Sequence, residues 1–283
     1  MSYINPGSLV STDWLAEHMS APDVRVVDGS WFLPSAGRDA RAEYQETHIP
    51  GAVFFDIDDI ADTDSPLPHT LPVPEKFSAR VRKLGLGDGN RIVVYDALGL
   101  FSAARVWWMF RAFGHDDVAV LDGGLPKWLA EGRPTEAAPT MPQERHFTAR
   151  LNHLMVRDLD QVRANIGSAR AQLVDARSAG RFAGTDQEPR TELRGGHVPG
   201  SLNLPYGDLL DPETGTVLPA DALRDRFETA GVDLARPIVT TCGSGVTACI
   251  LALGLDLLGH RDVAVYDGSW TEWGGREDTP IEP

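Results

Sequence analysis

Ile238-Val239-Thr240-Thr241-Cys242-Gly243-Ser244-Gly245-Val246-Thr247-Ala248 is the stretch on which the reading of the fold turns. A β-branched run ends at a single cysteine, a turn rich in glycine and hydroxyl residues follows, and Ala248 to Leu258 then continues as an apolar helix. Strand, tight turn and helix point successive backbone N–H groups at one spot, beside the positive end of a helix dipole. A thiol at that spot is favoured as thiolate, and any anion it forms is held by the same donors. Gly243 and Gly245 supply the backbone freedom of the turn and room for close approach, and Thr247 is placed to cap the helix.

Working outward, the same order of segments occurs twice. Val24–Asp28 leads through a polar loop to His48-Ile49-Pro50-Gly51, and Ala171–Asp175 leads to His197-Val198-Pro199-Gly200. Arg91–Asp96 matches Pro237–Cys242, and Val118-Ala119-Val120-Leu121-Asp122-Gly123 matches Val263-Ala264-Val265-Tyr266-Asp267-Gly268. Trp128 and Trp273 follow at the same distance. The offset drifts by only a few residues, so the chain is a tandem duplication of one α/β unit. Apolar strands alternating with helical patterns predict, in each unit, a mostly parallel β-sheet flanked by helices. Between the copies, Pro134, Pro139 and Pro142 punctuate a segment with the composition of a linker. The expected division is residues 1–137, a joint at 138–152, and residues 153–283.

The two copies are chemically unequal. Asp96 stands opposite Cys242, and Leu98 and Phe101 stand where the glycine-rich turn would cradle an anion. The first unit is therefore expected to contribute a wall of a cleft between domains rather than chemistry.

Composition narrows the classes. The chain has 283 residues, 42% of them hydrophobic, and a formal charge of −15. That charge opposes a general nucleic-acid or anionic-membrane surface. No apolar run reaches the roughly 18–20 residues of a membrane span, and the start of the sequence lacks the pattern of an export signal. Two cysteines make no disulfide framework, so a cytoplasmic, reducing setting is expected. Cys249, seven helical residues beyond Cys242, is displaced by roughly 10 Å along the helix. A disulfide tolerates about 4.4–6.8 Å between Cα atoms, so Cys249 reads as a small buried side chain. No Cys/His cluster has metal-ligand spacing, and no cofactor is expected.

The cysteine loop, together with Tyr266-Asp267-Gly268-Ser269-Trp270-Thr271-Glu272-Trp273 downstream, resembles the tandem-domain rhodanese/3-mercaptopyruvate sulfurtransferase family over nearly the whole chain. The resemblance implies two rhodanese-like domains, the first inactive. It also implies transfer of the sulfur of 3-mercaptopyruvate through a Cys242 persulfide to a thiol, cyanide or thioredoxin, with release of pyruvate. Thiosulfate enzymes of the family carry basic residues after the cysteine, whereas Ser244 is a neutral hydroxyl suited to a carbonyl becoming an enolate. Val246 and Thr247 complete the implied binding loop. By resemblance Arg181 and Arg190, in a long loop after Asp175, hold the donor's carboxylate and keto group, and arginine matches a planar carboxylate with two parallel bonds. Arg177 is assigned instead to a nearby acid.

His48 and Asp39 resemble a pair that supports the cysteine and serine in mercaptopyruvate enzymes. His197 at the matching place in the second copy gives the competing reading, a turn residue. Trp31 is a candidate for the cleft wall, and Trp107-Trp108 for the core. Two other enzymatic readings compete. Thiosulfate:cyanide sulfur transfer shares the nucleophile, while a Cys-X5-Arg phosphatase fails because Ala248 stands where its arginine is required. A non-enzymatic persulfide carrier is the remaining class, and the arginine pair and full tandem length weigh against it.

Overall fold

The β-branched runs Val24–Asp28 and Arg91–Tyr95 lie side by side in parallel, paired along their whole length from Val24 with Arg91 to Asp28 with Tyr95. Around them, in the computed structural model, the first copy forms β1 (Leu9–Val10), β2 (Val24–Asp28), β3 (Val53–Phe54), β4 (Arg91–Tyr95) and β5 (Val118–Leu121). Its helices are α1 (Thr12–His18), α2 (Ala40–Glu46), α3 (Pro74–Lys83), α4 (Ala103–Ala112) and α5 (Gly124–Ala130). The second copy forms β6 (Val156–Arg157), β7 (Gln172–Asp175), β8 (Leu202–Asn203), β9 (Ile238–Thr241) and β10 (Val263–Tyr266). With these come α6 (Leu159–Ser168), α7 (Ala179–Phe182), α8 (Ala220–Thr229), α9 (Ala248–Leu257) and α10 (Ser269–Trp273). The structure describes residues 2–137 and 140–283. Pro139, one of the prolines of the expected joint, lies outside the described residues.

The two sheets have the same strand order, β1-β5-β4-β2-β3 and β6-β10-β9-β7-β8, and every pairing between named strands is parallel. Matching order on matching sequence segments is the duplication made visible. Parallel strands are buried on both faces, and β7 and β9 are buried at every position and β4 at all but its first.

α4 and α9 join the domains. All ten residues of α9 are buried, and Arg111 is the one residue of α4 that is not. A helix apolar on all sides has to be covered on all sides. These two cover each other, and one continuous core runs from Val94 and Trp107 in the first domain to Leu253 and Val265 in the second. Each fully buried Leu, Val or Phe in such a core stabilises by roughly 1.5–3 kcal/mol.

The later part of the expected joint, from Phe147 to Asn152, does not behave as a solvated linker. Phe147 is buried against Phe77 and Phe110, Arg150 N donates to Phe113 O at 2.9 Å, and Asn152 N donates to Ala112 O at 2.7 Å. Proline enforces an extended path without preventing burial of an aromatic ring beside it, so composition alone gives no sign of this packing. Among the described residues, no helix is long and apolar enough to cross a membrane.

Candidate active site

Cys242 is the first residue beyond β9, at the carboxyl edge of its parallel sheet, where open α/β sheets place their ligands. It is buried. Its N–H reaches Ser269 Oγ at 3.3 Å, and that hydroxyl donates to Tyr266 O at 2.8 Å. Ser269 sits at φ +50°, a conformation disfavoured for a residue with a side chain. The carbonyls of the loop are tied down by α10. Trp270 N donates to Cys242 O at 2.9 Å, and Thr271 donates to Gly243 O through N at 2.8 Å and Oγ1 at 2.5 Å.

The N–H groups of the loop are not tied down in this way. Among the described residues, no acceptor is paired with the N–H of Gly243, Ser244, Gly245, Val246, Thr247 or Ala248. Thr247 occupies the N-cap of α9, but its side chain makes no capping bond, contrary to expectation. Its backbone is already helical there, and Thr247 lines the cleft. The first turn of α9 thus keeps its unsatisfied donors, as an anion site requires.

The cleft above Cys242 measures about 170 Å³ and lies between the domains. Ser244, Gly243, Val246 and Thr247 form its floor. Trp31, expected to wall it from the first domain, does so, stacked 6.2 Å from Phe101, and Tyr206 closes the far side. Phe101 belongs to the first copy of the loop, whose unit is expected to wall the cleft, while Tyr206 carries no signal in the sequence. Gly245 does not line the cleft. It stands at φ +78°, and a Cβ on it would come within 2.9 Å of Asp267 O.

The arginines divide by partner. Arg177 is fully buried between Asp175, at 2.7 Å, and Glu188, at 2.8 Å, so it pairs with acids as expected. Arg181, on α7, places Nη2 2.6 Å from the other oxygen of Glu188. It crosses Gly243 so closely that a Cβ there would stand 3.0 Å from Nη2, which explains the glycine. Two arginines and two carboxylates cancel. Arg190 also lines the cleft, and among the described residues no salt bridge neutralises it.

The structure does not bring His48 and Asp39 to Cys242. Asp39 caps α2, accepting from Ala42 N at 3.0 Å. His48 is buried on Tyr44, with Nδ1 2.6 Å from Tyr44 O and its N–H bonded to Glu136 O at 2.9 Å. His197 repeats that arrangement with Phe182 and Glu282. Both histidines lock the chain terminus of their domain to a turn, which is why both copies have one.

The His–Asp pair beside the cleft is instead His69 and Asp58. Nδ1 of the buried His69 lies 2.9 Å from Asp58 Oδ1, and Asp58 Oδ2 accepts from Trp31 Nε1 at 2.9 Å. Partial burial pushes the Asp58 carboxyl up, but the His69 hydrogen bond and charge outweigh it and hold it below its ordinary range, with Trp31 and Arg190 helping. His69 sits at φ +63°. The pair comes from the irregular segment between β3 and α3, where no periodicity marks it.

A family model for the rhodanese-like domain matches residues 11–131 and again 158–276. The chain belongs to the rhodanese-like family. Human 3-mercaptopyruvate sulfurtransferase is 47% identical over 272 residues, covering 94% of this chain and 91% of that protein. Rat thiosulfate sulfurtransferase is also 47% identical, over 273 residues and the same shares. Among solved structures, SseA from Escherichia coli, described among the 3-mercaptopyruvate sulfotransferases, superposes with a TM-score of 0.86 at 40% identity, covering 93% of this chain and 98% of that one.

Within this rhodanese-like pair the first copy of the loop is filled from inside. Asp96 accepts from Leu98 N at 2.8 Å through Oδ1 and, through Oδ2, from Phe101 N at 2.7 Å, Ser102 N at 2.9 Å and Ala103 N at 2.8 Å. The first copy of the rhodanese-like loop thus wraps its own carboxylate at the place where the second has Cys242.

Proposed function

We propose that this chain is a sulfurtransferase that takes sulfur from 3-mercaptopyruvate, carries it as a Cys242 persulfide, and delivers it to a thiol, cyanide or thioredoxin-like acceptor with release of pyruvate. The observation that carries the reading is the Cys-Gly-Ser-Gly loop at the cleft floor, where the residue two places after the thiol is the neutral Ser244. Human and E. coli relatives named for 3-mercaptopyruvate support the choice of donor.

In this reading the Cys242 thiolate attacks the donor sulfur and the carbon–sulfur bond breaks. The electron pair leaves as pyruvate enolate, which takes up the proton that the donor thiol brought, and Cys242 is left as a persulfide anion. The unpaired loop N–H groups stabilise that anion in a site screened from water. An acceptor thiolate then attacks the outer sulfur and restores Cys242. Splitting one transfer into two steps is the gain of covalent catalysis.

Arg190 and Arg181 hold the donor carboxylate. Ser244 donates to the oxygen of the forming enolate, and His69 and Asp58 brace Trp31 at the cleft wall. The chemistry belongs to residues 153–283, and residues 1–137 supply the cleft wall. Both cysteines are free, which supports residence in the cytoplasm.

Pyruvate release from 3-mercaptopyruvate is to be measured beside thiocyanate formation from thiosulfate and cyanide. A higher kcat/KM with thiosulfate would transfer the assignment to the donor for which the rat relative is named. Donor-treated protein gains one sulfur atom on Cys242, seen by mass spectrometry, and Cys242→Ser gains none. Sulfur found elsewhere would remove Cys242 as the carrier.

A further inference from the structure

Arg105 lies on α4, in the domain without chemistry, and its side chain is fully buried. Nη1 donates to Gly245 O, in the Cys242 loop, at 3.2 Å. Nη2 lies 2.8 Å from Asp267 Oδ1 and donates to the carbonyl of His69. The guanidinium carbon sits 4.6 Å over the Trp108 ring. Asp267 in turn accepts Leu71 N of the first domain at 2.7 Å through Oδ2 and stands two residues before Ser269, whose Oγ accepts the Cys242 N–H.

One planar group therefore ties together the cysteine loop, the segment carrying His69, and the strand end that anchors Cys242. Burial works against its charge, but Asp267 and Cys249 together outweigh it and hold the Arg105 guanidinium above its ordinary range. Replacing a buried ion pair by apolar side chains is often neutral or stabilising, so stability alone is a weak reason for arginine at the centre of an apolar interface. A rigid fork of donors fixes several acceptors at once. Gly245 fits the same logic, because a Cβ there would stand 3.1 Å from Nη1.

We propose that Arg105 is a positioning residue for sulfur transfer. By fixing the Gly245 carbonyl it sets the tilt of the peptide planes whose N–H groups converge on Cys242, so the first domain governs the reactivity of the second. Arg105 does not line the cleft and does not touch the donor. The inference rests on the sulfur-transfer reading of Cys242 and deepens it.

The test uses the full chain carrying Arg105→Lys or, separately, Asp267→Asn. Lysine keeps the charge but loses the fork, and asparagine keeps the shape but loses the charge. Three quantities are read: kcat and KM with 3-mercaptopyruvate, and the rate at which iodoacetamide alkylates Cys242 at fixed pH, with near-ultraviolet circular dichroism as the check on folding. Arg105→Lys is expected to lower kcat and the alkylation rate by roughly tenfold each, the scale of one buried charged hydrogen bond, while KM stays within about twofold.

Retention of both rates in the two folded variants overturns the proposal, as does a rise in KM with kcat unchanged. Failure of both variants to fold assigns Arg105 to stability and overturns it too. Alkylation needs no donor. If the parent protein fails to release pyruvate, the donor assignment falls while the alkylation comparison still judges Arg105.

Discussion

Asp96 and Cys242 hold the same position in two copies of one loop, each directly after the central strand of its sheet. Four N–H groups converge on the Asp96 carboxylate. Burial still pushes that carboxyl above its ordinary range, with the four bonds pulling it back. The second loop presents its donors without such an internal anion, and that difference separates a structural loop from a reactive one.

Removing the Asp96 side chain should therefore be costly. Each buried donor left unpaired costs about 1–3 kcal/mol, so Asp96→Ala is expected to destabilise the chain by on the order of 3–5 kcal/mol, read from urea unfolding. The double variant Asp96→Cys with Cys242→Ser places the only loop thiol in the first domain. It is expected to show no sulfur transfer, because Ser30 and Pro34 stand where the second copy has Arg177 and Arg181. Turnover by this variant would mean that loop and thiol suffice without the arginines.

Arg190 and Arg181 are expected to respond differently. Arg190 has no paired carboxylate among the described salt bridges and meets Asp58 only through the longer-range field, so its guanidinium is not already engaged by an acid. Arg190→Ala should raise KM for 3-mercaptopyruvate by roughly 10- to 100-fold, the range for losing a charge-assisted contact. Arg181→Ala also frees Glu188, which keeps Arg177 as a partner, so an uncompensated negative charge faces the cleft and kcat/KM falls further. A larger loss for Arg190→Ala than for Arg181→Ala would reverse this ranking.

How much of this is legible in the sequence depends on whether the cause is local. The strands from Val24–Asp28 to Val263–Tyr266 and the buried α4 and α9 follow from apolar runs and their spacing. The duplication fixes the common sheet order, and Trp31 reaches the cleft because its place in the first copy corresponds to the substrate loop of the second. His69 and Asp58 escape the same logic. Their pairing depends on a left-handed backbone at His69 and on an irregular segment folding against Trp31. His48 misleads for the opposite reason: a histidine repeated before Ile-Pro-Gly is conspicuous in sequence, yet it serves the turn. Arg105 is invisible to local reading, since every acceptor it meets, apart from the His69 carbonyl, lies in the other domain.

The His69–Asp58 pair should act through the cleft wall. Asp58→Asn weakens the acceptor of Trp31 Nε1, and His69→Gln removes the ring packed edge-on against Trp31. Each is expected to raise KM for 3-mercaptopyruvate by roughly 3- to 10-fold, the scale of one lost polar or aromatic contact, with kcat within about twofold of the parent. A fall in kcat of about 10²-fold or more with KM unchanged would instead put the pair in the proton path.

Asp122 offers a test of the domain interface that is independent of catalysis. Its carboxylate accepts Val217 N, from the other domain, at 2.8 Å, as Asp267 accepts Leu71 N. Burial pushes the Asp122 carboxyl up to about 6, with the Val217 bond and Lys127 opposing. The nearby Tyr3 hydroxyl, which donates to Leu218 O at 2.6 Å, is raised to about 12, by burial first and then by Asp122. In the unfolded chain Asp122 titrates near 3.9, so between about pH 4 and 6 the folded state binds the extra proton. Stability from this group is therefore full below pH 4 and is lost as pH rises through 6. An asparagine oxygen can still accept from Val217 N without carrying charge. Asp122→Asn is thus expected to be more stable than the parent by about 1–2 kcal/mol at pH 7.5, and the gap should shrink to roughly a third of that at pH 4.5. Urea midpoints of both proteins at the two pH values decide it. A parent that is as stable as the variant at pH 7.5, or a gap that does not change with pH, would mean that the carboxylate crosses the interface without the burial assigned to it.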